Sequence, residues 1–92
     1  MICDFHCKDT QSLFEGRCPR RFRAIRVQAE RKLQMLDAAL DIADLRSPPG
    51  NRLEKLTGDR AGKYSIRINN QWRVCFRFEN DKALEVEIVD YH

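Results

Sequence analysis

The sequence lacks the features that would place this chain in a membrane or in an oxidising compartment. No apolar run approaches the ~20 residues that a membrane-spanning helix needs. The N-terminal residues lack the basic-then-apolar layout of a signal peptide. No C-x-x-C pair is present, which disfavours zinc and leaves reduced, mostly buried thiols as the expected state of Cys3, Cys7, Cys18 and Cys75. The sequence therefore predicts a cytoplasmic protein.

Acidic residues are scarce in two segments, although the net charge of the whole chain is only +3. Residues 17–32 carry seven basic side chains against one acid, and residues 52–77 carry seven against two. Residues 79–90 reverse the sign. A basic surface of this kind suits a phosphate backbone. For residues 17–32, however, an ordinary solvated helix face is favoured over a phosphate-binding surface, since these arginines could as easily meet an acidic protein partner.

The first half of the chain has helical periodicity after a short extended segment. Alternation over residues 1–7 predicts a first strand with one face formed by Met1, Cys3, Phe5 and Cys7. A short helix follows, which Asp9 caps and Gly16 ends. Apolar residues then recur every three or four positions over about 19–44, which predicts a long helix, kinked or split near Asp37. Its buried stripe is expected to be Phe22, Ile25, Ala29, Leu33, Leu36, Leu40 and Ala43.

The apolar period changes from 3.6 to 2 after Pro48-Pro49-Gly50, which stops the helix. A short strand is expected around Leu53 and Leu56. Three further strands of a meander are expected at 63–68, 72–78 and 84–89. The sequence thus predicts a single α+β domain over residues 1–92, with N-terminal helices packed on a curved antiparallel sheet of four to five strands.

Alternation also fixes the register of the predicted sheet. The apolar residues of neighbouring strands must share one face, so Ile68 is expected opposite Trp72 across a three-residue loop. By the same argument Phe78 is expected opposite Leu84 across a five-residue loop. This register decides which charged residues meet on the other face.

On that other face Arg67 lies directly opposite Arg73, with no acid in the same row. Such a pair repels by up to ~1 kcal/mol but is tolerated where it meets an anion. By alternation Tyr91 follows on the same face, with Asp90 and His92 beside it. Guanidinium groups suit bidentate phosphate contacts, and Tyr or His can stack on an RNA base. Taken alone, each arginine is better explained by an acidic partner, which would come from the 51–62 loop for Arg67 and would be Glu54 for Arg73.

A chain terminus such as Asp90-Tyr91-His92 forms a defined site only if the strand before it is held in a sheet, because chain ends otherwise fray. The alternative is an ordinary solvated polar tail. The arginine pair upstream favours a site.

Five segments in this order resemble HigB, a family of toxins of type II toxin–antitoxin systems within the RelE-like superfamily. They are Arg46–Glu54, Gly58–Gly62, Tyr64–Asn69, Gln71–Phe76 and Val86–His92. The resemblance implies a RelE-like fold and an endoribonuclease that enters the ribosomal A site, cuts mRNA and halts translation. It also implies a helix-turn-helix antitoxin similar to HigA, in a hetero-oligomer expected to be a heterotetramer, with operator DNA bound mainly through the antitoxin.

The resemblance also assigns phosphate contacts to Arg67 and Arg73. Metal-free cleavage of RNA needs a base, an acid and a cation that stabilises the extra charge on the phosphate. We assign that charge stabilisation to Arg73, with assistance from Arg67, and further RNA contacts to Arg60 and Lys55. No carboxylate cluster suggests magnesium, so no metal or other cofactor is expected.

The C-terminal Asp90, Tyr91 and His92 match the family's active residues. His92 is the first acid–base candidate, because an imidazole with a reference pKa of ~6.5 holds either form near neutrality. Asp90 orients it or shares the role of base, and Tyr91 stacks on or positions the RNA base. Glu54 stands where some relatives have a histidine, and it is the reserve candidate for the base.

The antitoxin is expected on the basic helical surface formed by Arg20, Arg21, Arg23, Arg26 and Arg31. Two other functions fit the same charges. A non-catalytic nucleic-acid-binding module would need the phosphate contacts but not the C-terminal tail. A protein-partner module would bind an acidic protein without any effect on RNA.

Overall fold

Two helices pack on a four-stranded antiparallel sheet in the computed structural model, which describes residues 1–90 apart from the Arg60 side chain. The helices are α1 (Lys8–Phe14) and α2 (Arg26–Ala38). The strands, in the order in which they pair, are β1 (Glu54–Lys55), β2 (Tyr64–Arg67), β3 (Trp72–Glu79) and β4 (Lys82–Asp90). Short 3₁₀ helices connect them at Arg20–Ile25, Ile42–Arg46, Pro49–Asn51 and Gly58–Arg60. The predicted α+β architecture is confirmed. Among the described residues, no helix is long and apolar enough to cross a membrane.

The core lies between the helices and one face of the sheet. Five of the residues predicted for the buried helical stripe are buried there: Phe22, Ile25, Ala29, Leu33 and Leu36. From the sheet, Ile66, Val74 and Phe76 meet them, as the alternation predicts. Burial of this apolar surface is the main contribution to the stability of a domain of this size.

The predicted split of the 19–44 helix near Asp37 is confirmed, but the segment is not α-helical throughout: residues 20–25 and 42–46 form 3₁₀ helices on either side of α2. α2 stops at Ala38, and Leu40, which was expected in the core, is 72% exposed. The physical cause is a capping box: Asp41 accepts a hydrogen bond from the Ala43 backbone N–H, and Asp44 accepts one from the Asp41 N–H. These bonds start a separate 3₁₀ helix, which buries Leu45 and leaves Ala43 exposed.

The N-terminal segment is not the regular strand that alternation predicts. It forms only two isolated parallel bridges to β4, Ile2 with Ala83 and Phe5 with Val86. Between them the Asp4 side chain, rather than a backbone carbonyl, accepts the Glu85 N–H at 2.5 Å, so a continuous ladder does not form. Consequently the residues that contact the core are Phe5, which belongs to the predicted face, and Ile2, which does not. The predicted cap of α1 is also wrong, since Cys7 is the N-cap residue and Asp9 lies in the first turn.

These contacts nevertheless cover the outer edge of β4, the strand that precedes the C-terminal tail. The Cys3 and His6 N–H groups donate to the carbonyls of Ala83 and Val86 at 2.8 and 2.9 Å. Farther along, the Ile88 N–H donates to the buried Thr10 hydroxyl at 2.9 Å. Because β4 is bonded on both sides, its C-terminal end is held in place, which is the condition for a defined site at the tail.

The first predicted hairpin is confirmed, but the second is wrong in its loop. The Ile68 N–H donates to the Trp72 carbonyl at 2.9 Å, as the three-residue loop requires. In the second hairpin Glu79 pairs with Lys82, which leaves a two-residue loop instead of five. An irregularity in β4 then shifts the register by one, with Glu85 at φ 52, a left-handed conformation typical of a bulge.

The buried Asn51 holds the segment between α2 and β1 in place through hydrogen bonds. The fully buried Asn51 amide donates to the carbonyls of Leu45 and Ser47 at 3.1 and 3.3 Å. Its oxygen accepts a hydrogen bond from the Lys32 ammonium on α2 at 2.5 Å. Burial lowers the pKa of Lys32, and the charge of neighbouring Arg31 lowers it further. Asn51 thereby fixes the chain that leads into β1.

We expect Asn51→Ala to reduce the free energy of unfolding by about 3 kcal/mol, because it leaves buried backbone carbonyls without a donor. Chemical denaturation of the purified protein measures this change. Gln28→Ala, at an exposed position of α2, is the control and should change stability by less than about 0.5 kcal/mol. Equal stability of the two variants would contradict the role assigned to Asn51.

Candidate functional site

The two arginines predicted to lie side by side do so. Arg67 on β2 is the register partner of Arg73 on β3. They line a surface pocket of about 270 Å³ with Arg52, Glu54, Asn69 and Asn70. The pocket therefore contains three of the predicted site residues, two cations and one carboxylate.

Arg73 is held far more tightly than a surface strand residue. It is only 8% exposed, because the segment that leads into β1 covers it. Its Nε donates to the Ser65 hydroxyl at 2.8 Å, and a terminal nitrogen donates to the Arg52 carbonyl at 2.7 Å. The Glu54 carboxylate lies 3.9 Å from the other terminal nitrogen. Arg73 is therefore a preorganised, partly dehydrated cation at the base of the pocket.

Arg67 is only partly buried and belongs to the rim of the pocket. Its guanidinium donates to the Asn70 side chain in the loop between β2 and β3. The same loop is fixed by the Asn69 side chain, which accepts the N–H groups of Gln71 and Trp72, each at 2.8 Å. Because both guanidinium groups line the same pocket, an anion bound in it would lie near both.

Asp90 is the only tail residue within the described part of the chain. It ends β4 opposite Trp72, is exposed, and accepts a hydrogen bond from the Gln71 side chain at 3.1 Å. Because paired residues share a face, Asp90 lies on the Trp72 side of the sheet and not on the Arg73 side. The predictions for Tyr91, His92 and the Arg60 side chain fall outside the described residues.

Glu54 and Lys55 face opposite ways, since neighbouring residues of a strand do. Glu54 lines the pocket of Arg67 and Arg73. Lys55 instead lines a second, larger pocket on the other side of β1. The structure therefore does not group Lys55 with the arginine pair.

Sequence reasoning missed Arg52 and Ser65 as supports of the site. Arg52 has a left-handed backbone (φ 45), unusual for a residue other than glycine, and this conformation accompanies the bond from Arg73 to its carbonyl. Ser65 faces the same side as Arg67 in the predicted register, and that was the available signal. No local pattern reveals the role of Arg52.

Among the described residues, some arginines of the basic helical surface form ion pairs with acidic residues, whereas others do not. Arg21 forms an ion pair with Asp9 at 3.3 Å and lies over the Phe22 ring at 4.6 Å. Arg26 forms an ion pair with Glu30 at 3.6 Å. In the part of the chain that the structure describes, no such partner is present for the exposed Arg20, Arg23 and Arg31.

The arrangement suits the binding of an anion such as a phosphate. Two guanidinium groups meet in an open pocket, and a carboxylate stands at its edge. Within residues 1–90, no group of three or more His, Cys, Asp or Glu residues could hold a metal ion. The chemistry of the described site is that of cations, a carboxylate and amide groups.

Comparison with known proteins agrees with these features. The family described as the RelE-like toxin of type II toxin–antitoxin system HigB matches residues 11–92. The chain is 41% identical over 88 residues to Toxin HigB-1 of Vibrio cholerae, covering 91% of this chain and 90% of that protein. It is 38% identical over 61 residues to Endoribonuclease HigB of Proteus vulgaris, covering 66% and 65% of the two chains.

A solved structure supports the same fold. A chain of the heterotetrameric YoeB–YefM toxin–antitoxin complex from Staphylococcus aureus superimposes with a TM-score of 0.64 and 20% sequence identity. The match covers 100% of this chain and 95% of the other. At this identity the likeness shows the fold alone, and it confirms the RelE-like fold. With the family match over residues 11–92, it follows that this chain belongs to the HigB family of RelE-like toxins of type II toxin–antitoxin systems.

Proposed function

We propose that this chain is an endoribonuclease that cuts mRNA on the ribosome without a metal ion and that a helix-turn-helix antitoxin neutralises it. The observation that carries the proposal is Arg73, a cation fixed by Ser65 and the Arg52 carbonyl at the base of an open pocket beside Arg67. Membership of the HigB family supports it, as does the 38% identity to a protein named Endoribonuclease HigB.

The proposed reaction is attack of a ribose 2′-oxygen on the adjacent phosphate. A base takes the 2′-hydroxyl proton, the bond to the 5′-oxygen breaks, and an acid protonates the leaving oxygen. Arg73 stabilises the extra charge on the phosphate, and Arg67 assists from the rim. His92 is the proposed acid–base residue, and Tyr91 positions the RNA base. Asp90 ends β4 on the Trp72 side of the sheet and not on the Arg73 side, so its proposed role is to orient His92. Glu54, whose carboxylate lies 3.9 Å from Arg73, is the reserve base.

The small number of acid–base groups at the proposed site supports the proposal of ribosome dependence. A substrate held in the reactive geometry by another particle needs less from the enzyme, because orientation alone supplies much of the rate. We therefore propose that the ribosomal A site orients the mRNA and that naked RNA is cut poorly.

The test is expression of the toxin in cells with mapping of mRNA 5′ ends, beside incubation of the purified toxin with programmed ribosomes and with naked RNA. The proposal expects new 5′ ends that co-expression of the antitoxin removes, and cutting only on ribosomes. Toxin that is treated with EDTA, and from which the EDTA is removed before the toxin is added to the ribosomes, should cut mRNA as well as untreated toxin does. Growth arrest without new mRNA ends would overturn the proposal in favour of a binding module.

The antitoxin contact is proposed for the open part of the basic helical surface. Arg20, Arg23 and Arg31 are exposed there, and Val27, one helical turn before Arg31 on α2, is 66% exposed. Apolar surface surrounded by positive charge fits an acidic, partly apolar partner segment. We propose that the antitoxin supplies this segment, in a complex that is a heterotetramer and binds operator DNA mainly through the antitoxin.

We expect the double variant Arg23→Glu/Arg31→Glu to bind the antitoxin about 10- to 100-fold more weakly, because like charges then meet across the contact. Titration calorimetry with the purified antitoxin measures the affinity. Lys82→Glu, an exposed charge reversal on β4, is the control and should leave affinity unchanged. If the double variant bound as tightly as the control, the antitoxin would contact another surface.

A further inference from the structure

The larger pocket on the other side of β1 has no role in the reaction proposed above. Its volume is about 520 Å³. Its walls combine four partly apolar side chains with three cations, and no acid lines it: Ile42, Pro49, Leu53, Tyr64, Arg46, Arg52 and Lys55. All three cations are exposed, and within the described part of the chain no hydrogen bond or ion pair occupies the side chains of Arg46 and Lys55.

Arg52 connects this pocket with the pocket of Arg67 and Arg73, because it lines both. Its left-handed backbone lies directly before Leu53 and β1, and its carbonyl accepts the bond from Arg73. The residue that supports the proposed phosphate cation therefore also forms a wall of the second pocket. A polyanion bound at Arg73 reaches the second pocket by passing over Arg52.

The second pocket also offers an aromatic side chain that is held in place. The Tyr64 ring stacks on Phe76, with ring centroids 6.2 Å apart and planes 26° apart. Tyr64 also pairs with Lys55 across β1 and β2, so the ring and one cation share a face of the sheet. A fixed aromatic ring beside backbone-binding cations is the combination by which proteins hold single-stranded nucleic acid.

We infer that this pocket is a subsite for the nucleotide next to the cleaved bond of single-stranded RNA. The base lies against Tyr64 and Leu53, and the neighbouring phosphate meets Arg46, Arg52 and Lys55. The inference rests on the proposed ribonuclease function, which it extends from one phosphate to a stretch of RNA. Continuity with the arginine pair through Arg52 favours RNA over an acidic peptide, which would need no connection to Arg73.

The experiment measures binding of a 2′-O-methyl RNA octamer, which cannot be cut because its 2′-oxygens are blocked. A single-stranded phosphate contact contributes a slope of ~0.7 to log K against log salt, so loss of one contact weakens binding about 5-fold at ~0.1 M salt. We expect Arg46→Ala and Lys55→Ala each to show this loss and to lower the salt slope by ~0.7. The matched controls Arg17→Ala and Lys8→Ala, which remove exposed charges elsewhere, should bind as the wild type does.

Crosslinking locates the base. Octamers that carry 4-thiouridine at successive positions are irradiated on the wild-type protein, and the crosslinked peptide is identified by mass spectrometry. We expect one position to crosslink to Leu53 or Tyr64.

The outcomes of these experiments distinguish failure of the proposed RNA subsite from failure of the proposed ribonuclease reaction. If Arg46→Ala and Lys55→Ala bind RNA as the controls do, or if the wild type binds none even at millimolar RNA, the subsite is wrong while mRNA cutting in cells stands. If these variants instead lose antitoxin affinity alone, the pocket holds a partner peptide and the inference is overturned. If RNA crosslinks in the pocket but the wild type cuts no mRNA, the proposed reaction fails and the RNA subsite remains.

Discussion

Arg73→Ala should abolish growth arrest by this toxin. Loss of one preorganised cation at a reacting phosphate costs roughly 3–4 kcal/mol of barrier, by analogy with the loss of an oxyanion-hole donor, and that is ~10²- to 10³-fold in rate. Burial makes the effect larger than for a rim residue, because charge interactions strengthen where water is excluded. Single-turnover cleavage on programmed ribosomes measures the rate, and growth after induction measures toxicity.

The control variants must distinguish loss of catalysis in Arg73→Ala from loss of stability. Arg73 also binds Ser65 and the Arg52 carbonyl, so alanine is expected to lower the free energy of unfolding by about 1–3 kcal/mol. Arg73→Lys keeps the charge but not the two-sided geometry, and it should retain more stability and only part of the rate. Arg77→Ala, an exposed arginine of the same strand, should leave arrest unchanged. A folded Arg73→Ala protein that cuts at the wild-type rate would remove Arg73 from the mechanism.

Arg67 should matter less than Arg73. It lies at the rim and is bonded to Asn70 in the loop, so its loss leaves the buried cation in place. Full activity in Arg73→Ala with none in Arg67→Ala would reverse the assigned roles.

Deletion of His92 should abolish growth arrest as completely as Arg73→Ala while the protein stays folded. Positioned acid–base groups contribute typically 10²- to 10⁴-fold, which is enough to separate a toxic chain from a harmless one. Stability should not change, because β4 pairs with β3 through Asp90 and the deletion lies beyond that pairing. Mapping of mRNA 5′ ends in cells, with thermal unfolding of the purified variant, tests both statements.

The control for this test replaces the chain's other histidine, His6, in the same way as His92. His92→Gln keeps a polar side chain but cannot carry the proton, so it should be as inactive as the deletion. His6→Gln, at an exposed position near the N-terminus, should remain toxic. Normal toxicity and unchanged cut sites in a stable His92 deletion would leave the acid–base role to Asp90 or Glu54.

The register of β2 and β3 was predictable because two local signals agree. Apolar alternation on both strands and an Asn-Asn-Gln loop allow only the pairing that places Arg67 opposite Arg73. The same argument predicted the wrong loop for the second hairpin, because alternation assumes an uninterrupted strand. The tight loop shifts the pairing by one residue, and the bulge with Glu85 shifts it back, so Arg73 still pairs with Val89 as predicted.

The sequence by itself determined the order of the two helices and the four sheet strands, the buried faces of α2, β2 and β3, and the pairing of two arginines opposite one another. Those features depend on period and alternation, which act between neighbours along the chain or across one hairpin. Only the tertiary structure decided that Arg73 is buried, that the Arg52 carbonyl fixes it, and that Glu54 and Lys55 line different pockets. These depend on where the segment after Ala38 returns to the sheet, and contacts between residues far apart in sequence, such as Lys32 with Asn51, set that position.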